Sequence, residues 1–283
     1  MPPERDKYKL ARHEHEELFD RIRKSIFGAV GPSDRPTAYF LGGQPGSGKG
    51  QLIQLVSKKA PQAVVINGDE YRKFHLHSDK IYKHHKKSYA NYTDHDVRIW
   101  TSKALEEAVD KGCDFIFEGT MRTNQIVHTI SRIKDRGYDV HVLALAVNRF
   151  DSMLSLYSRF LETIDQGEVG RYTSLESHDA AYEGMPKTIH DIEMGGKAAK
   201  LSVYLRGGVA IYENESQNSQ IGAQKATIEG RCIPWNEERV NDWLNRIDRI
   251  IKGEQSDGDR HSICDELIEL RERFLKEMAE LFR

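Results

Sequence analysis

The chain has 283 residues, of which 38% are hydrophobic and 30% are charged, and its formal net charge is −2. This length predicts one α/β domain with additions, or two small domains. The near-neutral charge favours neither nucleic acid nor a membrane surface as a partner. The chain contains no run of about 18 apolar residues, so we predict no transmembrane helix. Its 3 cysteines lie far apart, and the N-terminal stretch lacks the apolar core of a signal peptide. We therefore expect a cytoplasmic protein without disulfides or a zinc site.

The first predicted element is an amphipathic helix over residues 8–28. Leu18, Ile22 and Ile26 recur near helical spacing among charged residues, and glycines and a proline follow. A short loop, residues 29–37, then leads into the first predicted strand.

A strand that runs into a glycine-rich loop is the strongest motif. Ala38–Leu41 predicts the buried strand, and Gly43, Gly48 and Lys49 fit the phosphate-loop spacing G-x-x-x-x-G-K. Glycines let backbone N–H groups surround an anion, the next helix adds its positive dipole end, and the lysine reaches the outer phosphates. Gly50 stands where Ser or Thr usually gives Mg²⁺ a hydroxyl. The predicted nucleotide-binding segment is Gly43, Gln44, Pro45, Gly46, Ser47, Gly48, Lys49, Gly50 and Gln51.

A carboxylate follows the second apolar run, Ala63–Ile66. Asp69 lies just past this predicted strand, at the edge where open α/β sheets bind ligands. It can act in chemistry or cap the next helix, and the two roles are compatible.

Residues 70–93 are the least regular part of the chain, with tyrosines interleaved among lysines and histidines. The histidines lack an acidic partner at ligand spacing, so we predict no metal site. Two interpretations stay open: a solvated basic face, or a substrate-side insertion that meets an anionic ligand.

Polar residues also follow the third predicted strand, Phe115–Phe117, which comes after a helix ending near Lys111. Glu118, Thr120 and Arg122 cluster at its tip, on the predicted edge of the phosphate loop. Continuous apolar strands that alternate with helices, including a fourth at Val140–Val147, predict a parallel sheet covered on both faces.

Two arginines follow the fourth strand. Arg159 lies in a predicted helix over residues 150–165, and Arg171 lies in a polar stretch, residues 166–172, that contains two glycines. Such a stretch is typical of a mobile kinase lid, whose arginine neutralises charge on the transferred phosphoryl group.

The rest of the chain predicts a helix over residues 186–201, a fifth strand at Val209–Tyr212 and a surface loop or hairpin over residues 213–227. Residues 236–283 predict two helices split near residues 253–259, whose apolar stripes are typical of core contacts and can also bind a partner.

These elements predict an α/β, P-loop kinase-like fold: a mostly parallel five-stranded sheet with helices on both faces, plus C-terminal helices. The predicted divisions are an N-terminal helix packing on the core (1–35), the P-loop kinase-like domain (36–235) and a C-terminal helical extension (236–283). In this arrangement Asp69 accepts a proton from a hydroxyl acceptor, and Lys49, Arg159, Arg171 and Mg²⁺ hold the phosphates of ATP.

With these motifs the chain resembles the zeta toxins of bacterial toxin–antitoxin systems. The resemblance covers residues 10–215 and rests on the phosphate loop, on Val64–Asp69, on the Glu-Gly-Thr-x-Arg-Thr segment that begins at Glu118, and on Arg159 and Arg171. Ser177-His178-Asp179 and Pro186 are similar to the family's downstream pattern.

The resemblance implies a kinase that phosphorylates the sugar 3′-hydroxyl of UDP-N-acetylglucosamine. It implies Asp69 as the base, Lys49, Arg159 and Arg171 as ATP-directed cations, and an acceptor site of Glu118, Thr120 and Arg122. It also implies a small helical antitoxin that blocks the nucleotide site.

Two alternatives stay open. Thr101-Ser102 stands where the family tends to carry a substrate-binding glutamate, which allows a different acceptor, such as a nucleoside, a dinucleotide or another metabolite. Gly50 allows a nucleotide-binding module with little catalysis.

Overall fold

The computed structural model describes residues 7–28, 30–214, 222–254 and 261–282. Its sheet has six strands: β1 Thr37–Gly42, β2 Val64–Ile66, β3 Phe115–Glu118, β4 Asp139–Ala146, β5 Lys200–Leu205 and β6 Ala210–Glu213. Their order in the sheet is β2-β3-β1-β4-β5-β6. All neighbouring pairs are parallel except β5 and β6, which are antiparallel.

Helices surround this sheet and separate the parallel strands. They are α1 Arg12–Phe27, α2 Lys49–Lys59, α3 Gly68–Tyr71, α4 Ser78–His85, α5 Tyr89–Lys111, α6 Gln125–Asp135, α7 Arg149–Asp165, α8 Leu175–Met194, α9 Ala223–Arg231, α10 Glu237–Glu254 and α11 His261–Leu281.

Both faces of the sheet are buried, as the unbroken apolar strands predict. Phe40 and Leu41 are adjacent on β1, are both fully buried, and belong to hydrophobic clusters on opposite faces. Leu52 and Val56 of α2 cover one face. Residues of α1, α5, α6, α8 and α9 cover the other. The predicted fold class is therefore confirmed.

The predicted number of strands was wrong because the helix over residues 186–201 was placed too late in the chain. The helix starts at Leu175, keeps Pro186 inside it and ends at Met194. The segment Lys200–Leu205 is a strand between β4 and β6, and its polar Ser202 broke the apolar run that marks the other strands.

The loop or hairpin predicted over residues 213–227 was wrong at both of its described ends. Glu213 closes β6 and residues 223–227 begin α9, while residues 215–221 lie outside the described part of the chain. Apart from Arg231, the buried face of α9 consists of small residues, so the large apolar residues that reveal a helix in a sequence are missing. These small residues are Ala223, Ala226, Thr227 and Gly230.

The two C-terminal helices pack against α7 around a separate aromatic cluster. The rings of Trp243 and Phe274 stack with centroids 4.0 Å apart, and Phe150 of α7 packs its ring edge against both. Most of the predicted apolar stripe on α11 is buried here, whereas Leu275 and Leu281 are exposed. The predicted break between these helices falls mostly on residues 255–260, which lie outside the described residues.

Residues 70–93, predicted to be irregular, consist mainly of short helical segments that lead into α5. Asp96 of α5 is fully buried and binds both His15 of α1, at 2.7 Å, and His75, at 3.1 Å. His75 accepts the His77 N–H at its Nδ1, so its Nε2 carries the proton that Asp96 accepts. This carboxylate therefore fastens α1 and the segment after α3 to α5.

Within the described residues, no helix is both long enough and apolar enough to cross a membrane.

Burial opposes the charge on Asp96, but its contacts with His75 and His15 outweigh burial and lower its pKa. The ionised form therefore stabilises the fold, and that contribution is lost as the pH falls through the lowered pKa. We predict that Asp96→Asn lowers the free energy of unfolding by about 3 kcal/mol at neutral pH. Urea denaturation measures the change. The matched control Asp110→Asn removes an exposed carboxylate of the same helix and should change little; equal effects of both variants would contradict the prediction.

Candidate active site

The phosphate loop lies between β1 and α2, as the motif predicts. Gly46 and Gly48 have φ angles of +77° and +96°, in the left-handed region that favours glycine. A Cβ atom on Gly46 would overlap the carbonyl oxygen of Ser152, so α7 packs directly against the loop. The loop ends at Gly48, and Lys49 begins α2.

The side chain of Gln44 anchors the phosphate loop to the rest of the protein. It is fully buried and donates to the carbonyl oxygen of Val147 at 2.8 Å and to the Ser152 hydroxyl at 3.2 Å. Arg231 of α9 donates to the Gln44 amide oxygen at 3.2 Å, and His178 of α8 lies 2.8 Å from the Ser152 hydroxyl. The loop is therefore held by polar contacts from α7 and α9, and His178 of α8 supports the Ser152 side chain that makes one of them.

The turn between β5 and β6 also contacts the phosphate loop. Arg206 donates to the carbonyl oxygen of Gly46 at 2.5 Å and to the Ser155 hydroxyl at 3.0 Å. The Gly207 N–H donates to the side chain of Gln51 at 3.1 Å. Sequence reasoning missed Arg206 because β5 was not predicted.

Lys49 is almost fully buried beneath the loop. Its ammonium group donates to the carbonyl oxygens of Gly43, at 2.9 Å, and Gln44, at 3.3 Å, and lies 3.8 Å from a carboxylate oxygen of Glu118. Burial lowers the pKa of Lys49, and the Glu118 carboxylate opposes that shift. Lys49 thus connects the phosphate loop to the tip of β3.

Asp69 lies in the first turn of α3, just after β2. Asn67 is the residue that caps this helix, since its side chain accepts the Asp69 N–H at 3.0 Å. The Asp69 carboxylate is therefore not used as the cap, which was the alternative role open from the sequence.

Two guanidinium groups hold the Asp69 carboxylate. Arg171 binds one of its oxygens, and Arg72 binds the other at 3.2 Å. Burial alone would raise the pKa of Asp69, but the two arginines outweigh it and hold the pKa below its usual range. The group is therefore ionised at neutral pH.

Arg72 was not predicted as a site residue. It is buried, lies three positions after Asp69 on a helical turn, and donates to the Thr93 hydroxyl at 2.6 Å and to the carbonyl oxygen of Ala90 at 3.0 Å. The i, i+3 spacing of an acid and a base was the signal that could have revealed it.

The charged residues predicted for the site lie close enough to influence one another. Lys49 experiences the charges of Glu118, Arg171, Asp69 and Arg159. Burial lowers the pKa of Arg159, with a further contribution from Arg171. Arg159 is exposed, so the cluster reaches the protein surface.

The other residues predicted to contact the acceptor lie on the turn after β3. Met121 has a φ angle of +53°, unusual for a residue other than glycine, and its side chain is buried against Gly42. Arg122 is exposed, and its carbonyl oxygen packs against Gly184 of α8. Thr120 is half-buried. The structure therefore does not place Arg122 in contact with the charged cluster.

The donor set fits a nucleotide better than a tightly bound metal. The glycine loop, the N-terminus of α2 and Lys49 suit an anion. Within the described part of the chain, no group of three or more His, Cys, Asp and Glu side chains is arranged to hold a metal. Asp69 and Glu118 are the carboxylates at this edge, and Mg²⁺ commonly uses one or two carboxylates together with phosphate oxygens and water.

A phosphate loop and an ionised carboxylate at one edge of a mostly parallel sheet define a P-loop kinase-like α/β protein. The family model of the zeta toxins matches residues 20–217, more than half of the chain. The chain belongs to the zeta toxin family, which confirms the resemblance found in its sequence. Membership supports a phosphotransferase activity of the P-loop kinase type.

Relatives agree with this assignment, and solved structures share the fold. Toxin zeta of Enterococcus hirae is 28% identical over 201 residues, which are 70% of this chain and 70% of that protein. Toxin PezT of Streptococcus pneumoniae is 24% identical over 241 residues, or 80% and 94% of the two chains. A chain from the PezAT chromosomal toxin–antitoxin system of Streptococcus pneumoniae, 20% identical, has a TM-score of 0.74 over 87% of this chain and 98% of its own. A chain of AvrRxo1-ORF1:-ORF2 with ATP, 14% identical, has a TM-score of 0.54 over 91% and 84%.

Removing Arg171 should raise the pKa of Asp69, because burial then acts against one guanidinium group instead of two. We predict that the Asp69 carboxyl of Arg171→Ala titrates at a higher pH than that of the wild type, as measured by carboxyl ¹³C NMR. The control Arg136→Ala removes an exposed guanidinium that pairs with Asp110 and should leave the Asp69 titration unchanged. An unchanged titration in Arg171→Ala would contradict the electrostatic description of the site.

Proposed function

We propose that this protein is an ATP-dependent kinase that phosphorylates the sugar 3′-hydroxyl of UDP-N-acetylglucosamine. The observation that carries the proposal is the ionised Asp69 carboxylate, held by Arg171 and Arg72 at the same sheet edge as the phosphate loop. A phosphate loop alone suits any nucleotide-binding protein. A charged carboxylate beside it suits transfer to a hydroxyl group.

The donor half consists of the phosphate loop and three cations. Backbone N–H groups of the loop and the ammonium group of Lys49 bind the phosphates of ATP. Arg159 and Arg171 neutralise charge on the phosphoryl group as it moves. Mg²⁺, when bound, supplies further neutralisation of the phosphate oxygens.

The acceptor half is centred on Asp69. Its carboxylate orients the acceptor hydroxyl and takes its proton, a contribution of about 10²–10⁴-fold in rate. Glu118, Thr120 and Arg122, at the tip of β3, contact the rest of the acceptor. Since Arg171 binds Asp69 directly, one arginine lies at the boundary between the base and the donor phosphates.

Family membership supports the sugar nucleotide as acceptor. One observation favours another small-molecule acceptor: Thr101 of α5 lies directly against Gly68, beside Asp69, where the family tends to carry a substrate-binding glutamate. Its hydroxyl donates to the carbonyl oxygen of Val97 at 2.8 Å. A different acceptor would then be a nucleoside, a dinucleotide or another metabolite that does not need that carboxylate.

A small helical antitoxin is the protein partner that we propose. Its support is family membership and the structural similarity to a chain of the PezAT toxin–antitoxin system. We propose that it covers the nucleotide site, so that co-expression would suppress the kinase.

The test is incubation of the pure protein with ATP, Mg²⁺ and UDP-N-acetylglucosamine, followed by mass spectrometry. We predict a product that carries one additional phosphoryl group on the N-acetylglucosamine sugar, and no product from Lys49→Met, which keeps a long side chain without the charge. Absence of product from the wild type would reject this acceptor. A screen of metabolite extracts would then separate a different acceptor from a module with little catalysis.

Gly50 provides a second test, because a Cβ atom there would meet nothing within 4 Å. Gly50→Thr adds the hydroxyl that phosphate loops usually offer to Mg²⁺. We predict a higher turnover at limiting Mg²⁺ for Gly50→Thr. Gly50→Ala, which changes the backbone in the same way without a hydroxyl, should not share this gain. Equal rates for the two variants would show that a hydroxyl at this position contributes nothing to metal use.

A further inference from the structure

The carboxylate of Glu266 links helix α11 to the segment that carries Arg171. Glu266 accepts the Tyr172 hydroxyl at 2.5 Å and the Tyr157 hydroxyl at 2.9 Å on one oxygen. Its other oxygen binds the ammonium group of Lys87 at 2.6 Å. Three segments therefore meet at Glu266: the turn before α5, helix α7 and the connection between α7 and α8.

These contacts are stronger than those of an ordinary surface pair. The side chains of Glu266 and Lys87 are only 26% and 34% exposed. Burial, with the Glu266 carboxylate acting in the same direction, raises the pKa of both Tyr157 and Tyr172, so both hydroxyls stay protonated and donate. Hydrogen bonds to a charged acceptor are roughly twice as strong as those between neutral groups.

Tyr172 is held on its other sides as well. Its ring packs edge-on against Phe160 of α7, with centroids 5.6 Å apart, and the Lys87 ammonium lies 5.2 Å from its centroid. Gly170 is so close to α7 that a Cβ atom would lie 3.1 Å from the Phe160 ring. Arg171 is therefore flanked by two residues that are fixed to the α7 and α11 unit.

We propose that Glu266 is a positioning residue that holds Arg171 in place through Tyr172, so that the C-terminal helix helps to build the active site. The proposal rests on the proposed kinase function. The Arg171 side chain binds Asp69, and the neighbouring residue, Tyr172, donates a hydrogen bond to Glu266. Helix α11 lies beyond residues 20–217, the part matched by the family model, so the contact adds a support from outside that region.

The first experiment is hydrogen–deuterium exchange of the full chain, which needs no substrate. Glu266→Gln breaks the ion pair with Lys87, and Tyr172→Phe removes one hydroxyl while keeping the ring. Both variants should increase amide exchange in residues 166–174 by about tenfold or more, with the phosphate loop, residues 43–51, unchanged. Glu272→Gln, an exposed change on the same helix, is the matched control and should have no effect.

The second experiment measures phosphoryl transfer from ATP to the acceptor found active with the wild type. Glu266→Gln should lower kcat about tenfold or more with little change in the KM for ATP. In an Arg171→Ala background it should cause no further loss, because a positioning residue acts only through the group that it positions.

The outcomes separate this proposal from the proposed function. Unchanged exchange in residues 166–174 for both Glu266→Gln and Tyr172→Phe would overturn the positioning role, as would a full additional loss of kcat in Arg171→Ala. A wild-type protein without any phosphoryl transfer would overturn the kinase function, and the exchange data would still decide whether Glu266 holds the Arg171 segment.

Discussion

The ion pair between Asp69 and Arg171 is the contact on which the site depends. Asp69 follows β2, whereas Arg171 lies 102 residues later, on the connection between α7 and α8. Their contact joins two segments that are distant in the chain: the turn after β2 and the connection between α7 and α8. It also keeps Asp69 ionised despite its burial, which is the state that a general base needs. A neutral residue at position 171 would leave Asp69 with Arg72 as its guanidinium partner, and a neutral residue at position 69 would remove the carboxylate that Arg171 binds.

Asp69 and the phosphate loop are each held by their own set of contacts. On the acceptor side, Arg72 binds Asp69, and the buried Asp96 fixes the following residues through His75. The phosphate loop is held by polar contacts of its Gln44 side chain with α7 and α9, and by a contact of Gly46 with the β5–β6 turn. The parallel sheet sets the distance between these two sets of contacts, because the strands that precede them end at the same edge. The C-terminal helices stabilise α7, and α7 in turn packs against the loop.

The parts of this arrangement with a local signal could be predicted from the sequence. The phosphate loop follows from its glycine spacing, and Asp69 and Glu118 follow from the ends of apolar strands. Strand β5 could not be found in this way, since Ser202 interrupts its apolar run, and α9 could not, since its buried face, apart from Arg231, consists of small residues. Arg206 and Glu266 act across long separations in the chain, so neither leaves a pattern in its own neighbourhood. Their roles depend on how the helices and the sheet pack.

The most direct measurement is the single-turnover rate of phosphoryl transfer in Asp69→Asn, alongside its affinity for ATP. The substitution keeps the size of the side chain and removes its charge. We predict a rate about 10²–10⁴-fold below that of the wild type, with ATP still bound. An unchanged transfer rate would show that Asp69 is not the base, and it would leave the phosphate loop without the acceptor site described above.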